Sequence, residues 1–244
     1  MQILTEGRFT LGLGAGENLN EHVVGAGWPS VDVRHEMLEE AVEIISELFD
    51  GGYVTYNGKH YRVDSAKLWD LPDQRVPIGM AVSGEQSVSR FAPQVDALVA
   101  VEPKADLVES WDAASGRSSS RKIGQIPVCW NPSKDAAVAL AHEQFRWFGG
   151  GWKVNAELPG TAAFAGATQF VRPEDVAESI PCGPDVEPIV DAVSAYWDAG
   201  FTDVALVQIG DDGQEDFLGF AEKELLPALR EASRGCAGSA GQDG

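Results

Sequence analysis

The chain has 244 residues, 44% of them apolar, enough to fill the core of one large domain. Its 18 Lys and Arg against 38 Asp and Glu give a formal charge of -20, which leaves no broad basic face for nucleic acid and repels anionic lipid. Cys129, Cys182 and Cys236 follow no CxxC spacing, and neither a long apolar span nor an export leader is visible, so the expectation is a cytoplasmic protein with no structural zinc, disulfide framework or membrane partner.

Taken in chain order, Met1 to Gly7 reads as a last helical turn closed by glycine, and Phe9 to Leu13 as a strand entering a glycine-rich bend. From Arg34 to Phe49, Met37, Leu38, Ala41, Ile44, Ile45 and Leu48 recur at three and four while Glu36, Glu39, Glu40, Glu43 and Glu47 fill the opposite face. The spacing predicts an amphipathic helix ended by Gly51 and Gly52. Tyr53 to Tyr56, Asn57-Gly58 and His60 to Val63 carry the signal of a β-hairpin turning at Asn-Gly. Short apolar runs at Ile78 to Val82, Ala97 to Val101, Ile123 to Trp130 and Val204 to Ile209 read as parallel strands covered on both faces. Between and after them, helical patterns occupy Gln86 to Phe91, Ala105 to Ala114, Lys134 to Phe148, Glu174 to Ser179, Val186 to Ala199 and Glu215 to Ala232. Residues 1 to 232 read as one domain, and the small-residue stretch from Ser233 to Gly244 as a disordered tail.

Repeated strand-helix units leave two architectures, a closed (β/α)8 barrel or an open doubly wound sheet. Five β/α strands fall short of eight, so the expectation is an N-terminally truncated TIM barrel that begins inside the fold and carries a hairpin insertion.

Four stretches could carry chemistry. The strand end at Gly12, Gly14 and Gly16 followed by Glu17 and Asn20 lacks Cβ atoms where a flat ring could approach; its spacing is not GxGxxG, no helix is expected to open at the third glycine, and a tight turn explains it equally well. Ser83 and Gly84 precede a helix whose free N-H groups suit a phosphate, though capping alone accounts for them. Glu102 and Lys104 put an acid and a base at the next strand end, where Lys104 reads equally as a solvated first-turn side chain. Aromatics crowd a triple glycine from Gln144 to Glu157; Phe145, Trp147 and Phe148 suit the buried face of a helix, while Trp152 and Lys153 suit a substrate pocket in a loop. The four histidines and the serines show neither metal spacing nor a nucleophile elbow.

The runs GRFTLGLGAGENLNEHVVGAGWPSVDVRHEMLEEAVEII, YNGKHYRVDSAKLWDLPD, PIGMAVSG, FRWFGGGWKVNAELPG, QFVRPEDVAESIPCGPDVE and AGFTDVALVQIGDD resemble the luciferase-like superfamily, and within it coenzyme F420-dependent oxidoreductases of the glucose-6-phosphate dehydrogenase type. The resemblance implies a (β/α)8 barrel, no metal, a small-molecule substrate, and hydride transfer between a deazaflavin and an alcohol or carbonyl carbon; a homodimer is possible by analogy. It implies that Glu17 is the active-site carboxylate, that Asn20, Ser83, Gly84 and Glu102 bind the cofactor, and that Lys104, Trp152 and Lys153 meet substrate. The family's other substrate-phosphate cations lack counterparts in TAAFAG and PEDVAESIP, so glucose 6-phosphate is not the expected substrate. The resemblance also places the family's first three strands, with a catalytic histidine and tryptophan, before Met1. An FMN-dependent monooxygenase of the same superfamily and an inactive truncated barrel are the alternatives.

Overall fold

The computed structural model describes residues 1–210 and 212–239. Among them, β1 (Leu11–Leu13), β4 (Ile78–Ala81), β5 (Ala97–Ala100), β6 (Arg121–Val128) and β7 (Asp203–Gln208) form a parallel sheet in that order, and β2 (Val54–Asn57) pairs with β3 (Arg62–Ala66) as a separate antiparallel hairpin. Apart from the hairpin, each strand lies beside its successor in the chain. A doubly wound sheet reverses direction at a switch point, whereas an unbroken succession is how barrel staves are laid down. The five expected strands are therefore all present, as consecutive staves.

Alternation along the strands decides which face is covered. Leu13, Met80 and Leu98 stand in one cross-strand row, and with Ile78, Ala100, Ile126 and Val128 they pack against the helices. The opposite face presents Gly12, Ala81, Val101, Gln125, Ala205 and Val207, all exposed. The helix Val31–Phe49 contributes Leu38 and Val42 to the core, Glu187–Asp198 contributes Ile189, Val193 and Tyr196, and Gln214–Phe220 contributes Phe217 and Phe220. Gly124 on β6 makes room for Tyr196: a Cβ there would lie 2.3 Å from the ring, whose hydroxyl donates to the Gln125 carbonyl at 3.2 Å.

Three local expectations are corrected. The hairpin turns through Gly58 to Tyr61 and not through the Asn-Gly pair alone, because the Glu40 carboxylate of the neighbouring helix collects the N-H groups of Lys59 (2.7 Å), His60 (3.0 Å) and Tyr61 (2.9 Å). A Cβ at Gly58 would stand 2.2 Å from that carboxylate. After Gly16, whose φ is +79°, the chain does coil into a single helical turn, Asn18–Glu21. The last helix, Leu226–Ser239, runs into the stretch that composition assigned to a disordered tail; residues 240–244 lie outside the described residues.

Gly124→Ala should cost about 1–3 kcal/mol, because the tyrosine ring must leave its rotamer or the strand must shift. A lower urea midpoint at unchanged m-value would register it.

Candidate functional site

Parallel pairing puts the carboxyl ends of β1, β4 and β5 side by side, and the chemistry-bearing residues follow those ends. Leaving β1, Gly14 comes so close to β4 that a Cβ would sit 3.3 Å from that of Ala81. Glu17 then opens the turn Asn18–Glu21 with extended backbone, its side chain half-buried and making no cap hydrogen bond; Asn20 is exposed. Leaving β4, exposed Ser83 and half-buried Gly84 precede the helix Glu85–Phe91, where Gly84 is the N-cap. Ser87 Oγ donates to the Gly84 carbonyl at 2.8 Å, which ties this first turn together. A Cβ at Gly12 or Gly84 would meet nothing within 4 Å, so both backbones face open space.

Glu102 and Lys104 follow β5 and are committed to each other. The Lys104 ammonium is ion-paired with the Glu102 carboxylate, which raises the lysine above its ordinary value, and about half of each side chain is exposed. Lys104 is thus not a free cation awaiting a phosphate: the neighbouring carboxylate offsets its charge.

The triple-glycine region folds back over this end of the sheet. The helix Lys134–Phe145 stops three residues earlier than its pattern suggests and continues as a 3-10 turn, Arg146–Gly150; Gly151 at φ +72° then admits a short helix, Trp152–Asn155. Phe145 and Phe148 pack into a second apolar cluster with Ala137, Ala141, Val176 and Ile180, while Trp147 lies against Phe145 and Phe164, so these aromatics are structural. Trp152 is 40% exposed and Lys153 is exposed beside it.

What holds that short helix to the β1 rim is a set of bonds converging on Ala156 and Glu157. Asn18 donates from its backbone N-H to the Ala156 carbonyl (2.9 Å) and from its side-chain amide to the Glu157 carbonyl (3.0 Å). One Glu157 carboxylate oxygen accepts from Trp28 Nε1 at 2.7 Å; the other accepts from Arg34 Nη2 at 3.2 Å. Arg34 is buried, lies 3.9 Å from the Trp28 ring centroid and also donates to the Pro29 carbonyl at 2.7 Å. Asn18 lies between Glu17 and Asn20, so this junction carries Trp152 and Lys153 to the rim that bears those two residues.

Arg34, Trp28 and Glu157 were not singled out by sequence reasoning. The available signal was phase: Arg34 lies four residues before Leu38 and eight before Val42, on the buried stripe of its helix. Next to it, His35 is buried with its Nδ1 unpartnered and its ring edge-on to Phe91. Burial, aided by Arg90 and Arg34, holds His35 below its ordinary pKa. The other histidines are engaged: His22 Nδ1 is 2.9 Å from the Asn18 carbonyl, His60 pairs with Glu36, and His142 Nε2 is 2.8 Å from the Val171 carbonyl.

A cavity of about 400 Å³ lies at the amino-terminal end of β1, among Phe9, Leu11, Ile45, Phe49, Leu71 and Val76. Its apolar wall lacks convergent polar groups and lies at the far end of the strands from Glu17 and Ser83. Among the described residues no helix is long and apolar enough to cross a membrane, and no three His, Cys, Asp or Glu side chains converge as a metal site.

The sequence model of the family described as luciferase-like monooxygenase matches residues 1–203. A curated relative, an F420-dependent glucose-6-phosphate dehydrogenase of Kineococcus radiotolerans, is 31% identical over 93% of this chain and 70% of its own length. An F420-dependent hydroxymycolic acid dehydrogenase of Mycobacterium tuberculosis is 28% identical over 94% of this chain and 64% of its own. Among solved structures, an F420-dependent secondary alcohol dehydrogenase in complex with an F420-acetone adduct superposes with a TM-score of 0.79 at 24% identity, covering 93% of this chain and 72% of that one.

Glu157→Ala should cost about 1–2 kcal/mol, less than a fully buried pair because Glu157 is half-exposed. In a double-mutant cycle with Arg34→Met the losses should be non-additive, and protease should cut faster between residues 146 and 160. For His35, the unfolded state takes up a proton near the ordinary histidine value of 6.5 while the native state resists until lower pH, so stability falls on acidification through that interval. His35→Gln should flatten that part of the urea-midpoint profile against pH.

Proposed function

The chain belongs to the luciferase-like family, and we propose that it is an F420-dependent oxidoreductase acting on an alcohol or carbonyl substrate at the rim formed by the ends of β1, β4 and β5. The observation that carries this reading is the meeting of four features at one end of a parallel sheet: backbone without Cβ atoms, an uncapped carboxylate at Glu17, an open helix start at Ser83 and Gly84, and the Trp152–Lys153 turn latched alongside. The donor set fits a deazaflavin with an anionic tail. Backbone N-H groups after Ser83 and Gly84 suit phosphate, the glycine backbone of the β1 bend suits a planar ring, and the Asn20 amide can both donate and accept.

When bound, the deazaflavin supplies a hydride-accepting carbon, the chemistry that no side chain of this protein possesses. The chain's own work is positioning. Glu17 would set a carboxyl group beside a bound ring, the Ser83–Gly84 turn would hold the anionic tail, and Trp152 would narrow the approach for substrate. Each group is on or beside a strand end, where the sheet limits its motion.

The substrate class follows from charge. A sugar phosphate needs concentrated positive charge, and Lys104, already paired with Glu102, offers little. A neutral secondary alcohol or ketone is therefore favoured over glucose 6-phosphate, with Lys153 available for a single polar or anionic group.

Titration of the purified chain with F420, followed by deazaflavin fluorescence, should saturate. Ser83→Asp should weaken binding by about tenfold or more through like-charge repulsion at the phosphate, whereas Glu17→Gln should keep binding and lose turnover. Retention of FMN with no response to F420 would assign the chain to the monooxygenase branch instead; no saturable binding of either would leave a non-catalytic barrel segment.

A further inference from the structure

The segment that carries Trp152 leaves the parallel sheet at Cys129 and returns to it at Cys182. These two residues are direct partners in an isolated parallel β-bridge just past the end of β6. The Cys129 N-H donates to the Pro181 carbonyl at 2.9 Å and the Gly183 N-H to the Cys129 carbonyl at 3.0 Å, so the backbone clamps the two positions together. Partnered strands lie roughly 4.8 Å apart, inside the Cα separation that a disulfide accepts without backbone movement. Both thiols are free.

We propose that Cys129 and Cys182 form a reversible disulfide that cinches the neck of the 130–181 insertion, making it a redox modification site. Both side chains belong to the insertion's own apolar cluster, with Ala137, Ala141, Val176, Ile180 and Ile209, and so occupy the same side of the bridge. The Cys129 thiol donates to the Ile209 carbonyl at 3.8 Å, and the interaction of the two neighbouring sulfurs holds Cys129 below the usual thiol range and pushes Cys182 up. Exposure divides the roles: Cys129 is fully buried and Cys182 half-buried, so a small oxidant meets Cys182 first.

With hydrogen peroxide as oxidant, the Cys182 sulfur attacks one oxygen, the O-O bond breaks, and hydroxide leaves to take up the thiol proton as water. The Cys129 sulfur then attacks the resulting sulfenic sulfur; the S-S bond forms, the S-O bond breaks, and the second oxygen leaves as water with the Cys129 proton. The two sulfurs surrender two electrons, and one peroxide becomes two waters. The product ties the exit of the insertion to its return, so that Trp152 and Lys153 sit on a closed loop anchored at one end by this bond and at the other by Glu157.

The test uses the full chain carrying Cys236→Ser, so that the bridge pair supplies every thiol, with peptide mapping of the unsubstituted chain as a second measurement if that variant folds poorly. After peroxide treatment the intact chain should lose the mass of two hydrogens and both alkylatable thiols. Digestion should yield a Cys129–Cys182 linked peptide, and dithiothreitol should restore both thiols. The oxidised chain should melt about 5–10 °C higher and resist cleavage between residues 146 and 160. Conversion of Cys182 to sulfinic acid while Cys129 stays alkylatable, a disulfide joining two chains, or failure of both thiols to react would overturn the proposal. None of these readouts involves cofactor or turnover, so they stand apart from the test of the functional reading.

Discussion

Parallel pairing in chain order is the constraint from which the molecule's chemistry follows. Because β1, β4, β5, β6 and β7 run the same way, every connection that leaves a carboxyl end emerges on one side of the sheet, and residues far apart in sequence share a rim. Glu17, Ser83 and Lys104 each follow the carboxyl end of one of three adjacent strands for that reason. The covering helices run back along the convex face, where Leu13, Met80 and Leu98 form a continuous apolar row, and so keep out of the way of the rim.

The insertion packs its apolar cluster on the ends of β6 and β7 through Cys129 and Ile209, and polar contacts tie residues 130–181 to the rest of the chain at two places. At the far end, Glu157 and the carbonyls beside it draw hydrogen bonds from Asn18, Trp28 and Arg34. At the near end, the Cys129–Cys182 bridge closes the neck. The arginine that serves Glu157 is buried, and its Nε has no partner in the protein; holding it costs desolvation, which the stacked Trp28 ring and the carboxylate offset in part. A polar latch of this kind fixes direction as well as proximity, which an apolar contact between Trp152 and the rim would not.

Sequence reasoning went furthest where a single local signal decides the outcome. The five strands are short apolar runs with nothing competing for them, and the helical stripe read from Arg34 includes Leu38 and Ile44, which the structure buries; Val42, buried on the same helix, and the start at Val31 were not read from it. It also singled out the glycines at the β1 end and the Ser83–Gly84 turn, because strand-to-helix punctuation is local. It went wrong where a distant partner intervenes. Asn57-Gly58 alone encodes a two-residue turn, yet the Glu40 carboxylate stabilises a longer loop by collecting three amide N-H groups.

What the sequence determined by itself is the alternation of strand and helix, the amphipathic faces, and which residue types stand at the strand ends; these follow from periodicity and turn chemistry acting over a few residues. Only the tertiary structure decided that Asn18 meets Ala156 and Glu157, that Arg34 stacks on Trp28, and that Cys129 faces Cys182. Those pairings join segments with no shared period, and their free energy comes from satisfying polar groups that burial has already removed from water. They can be known only once the packing that buries them is in place.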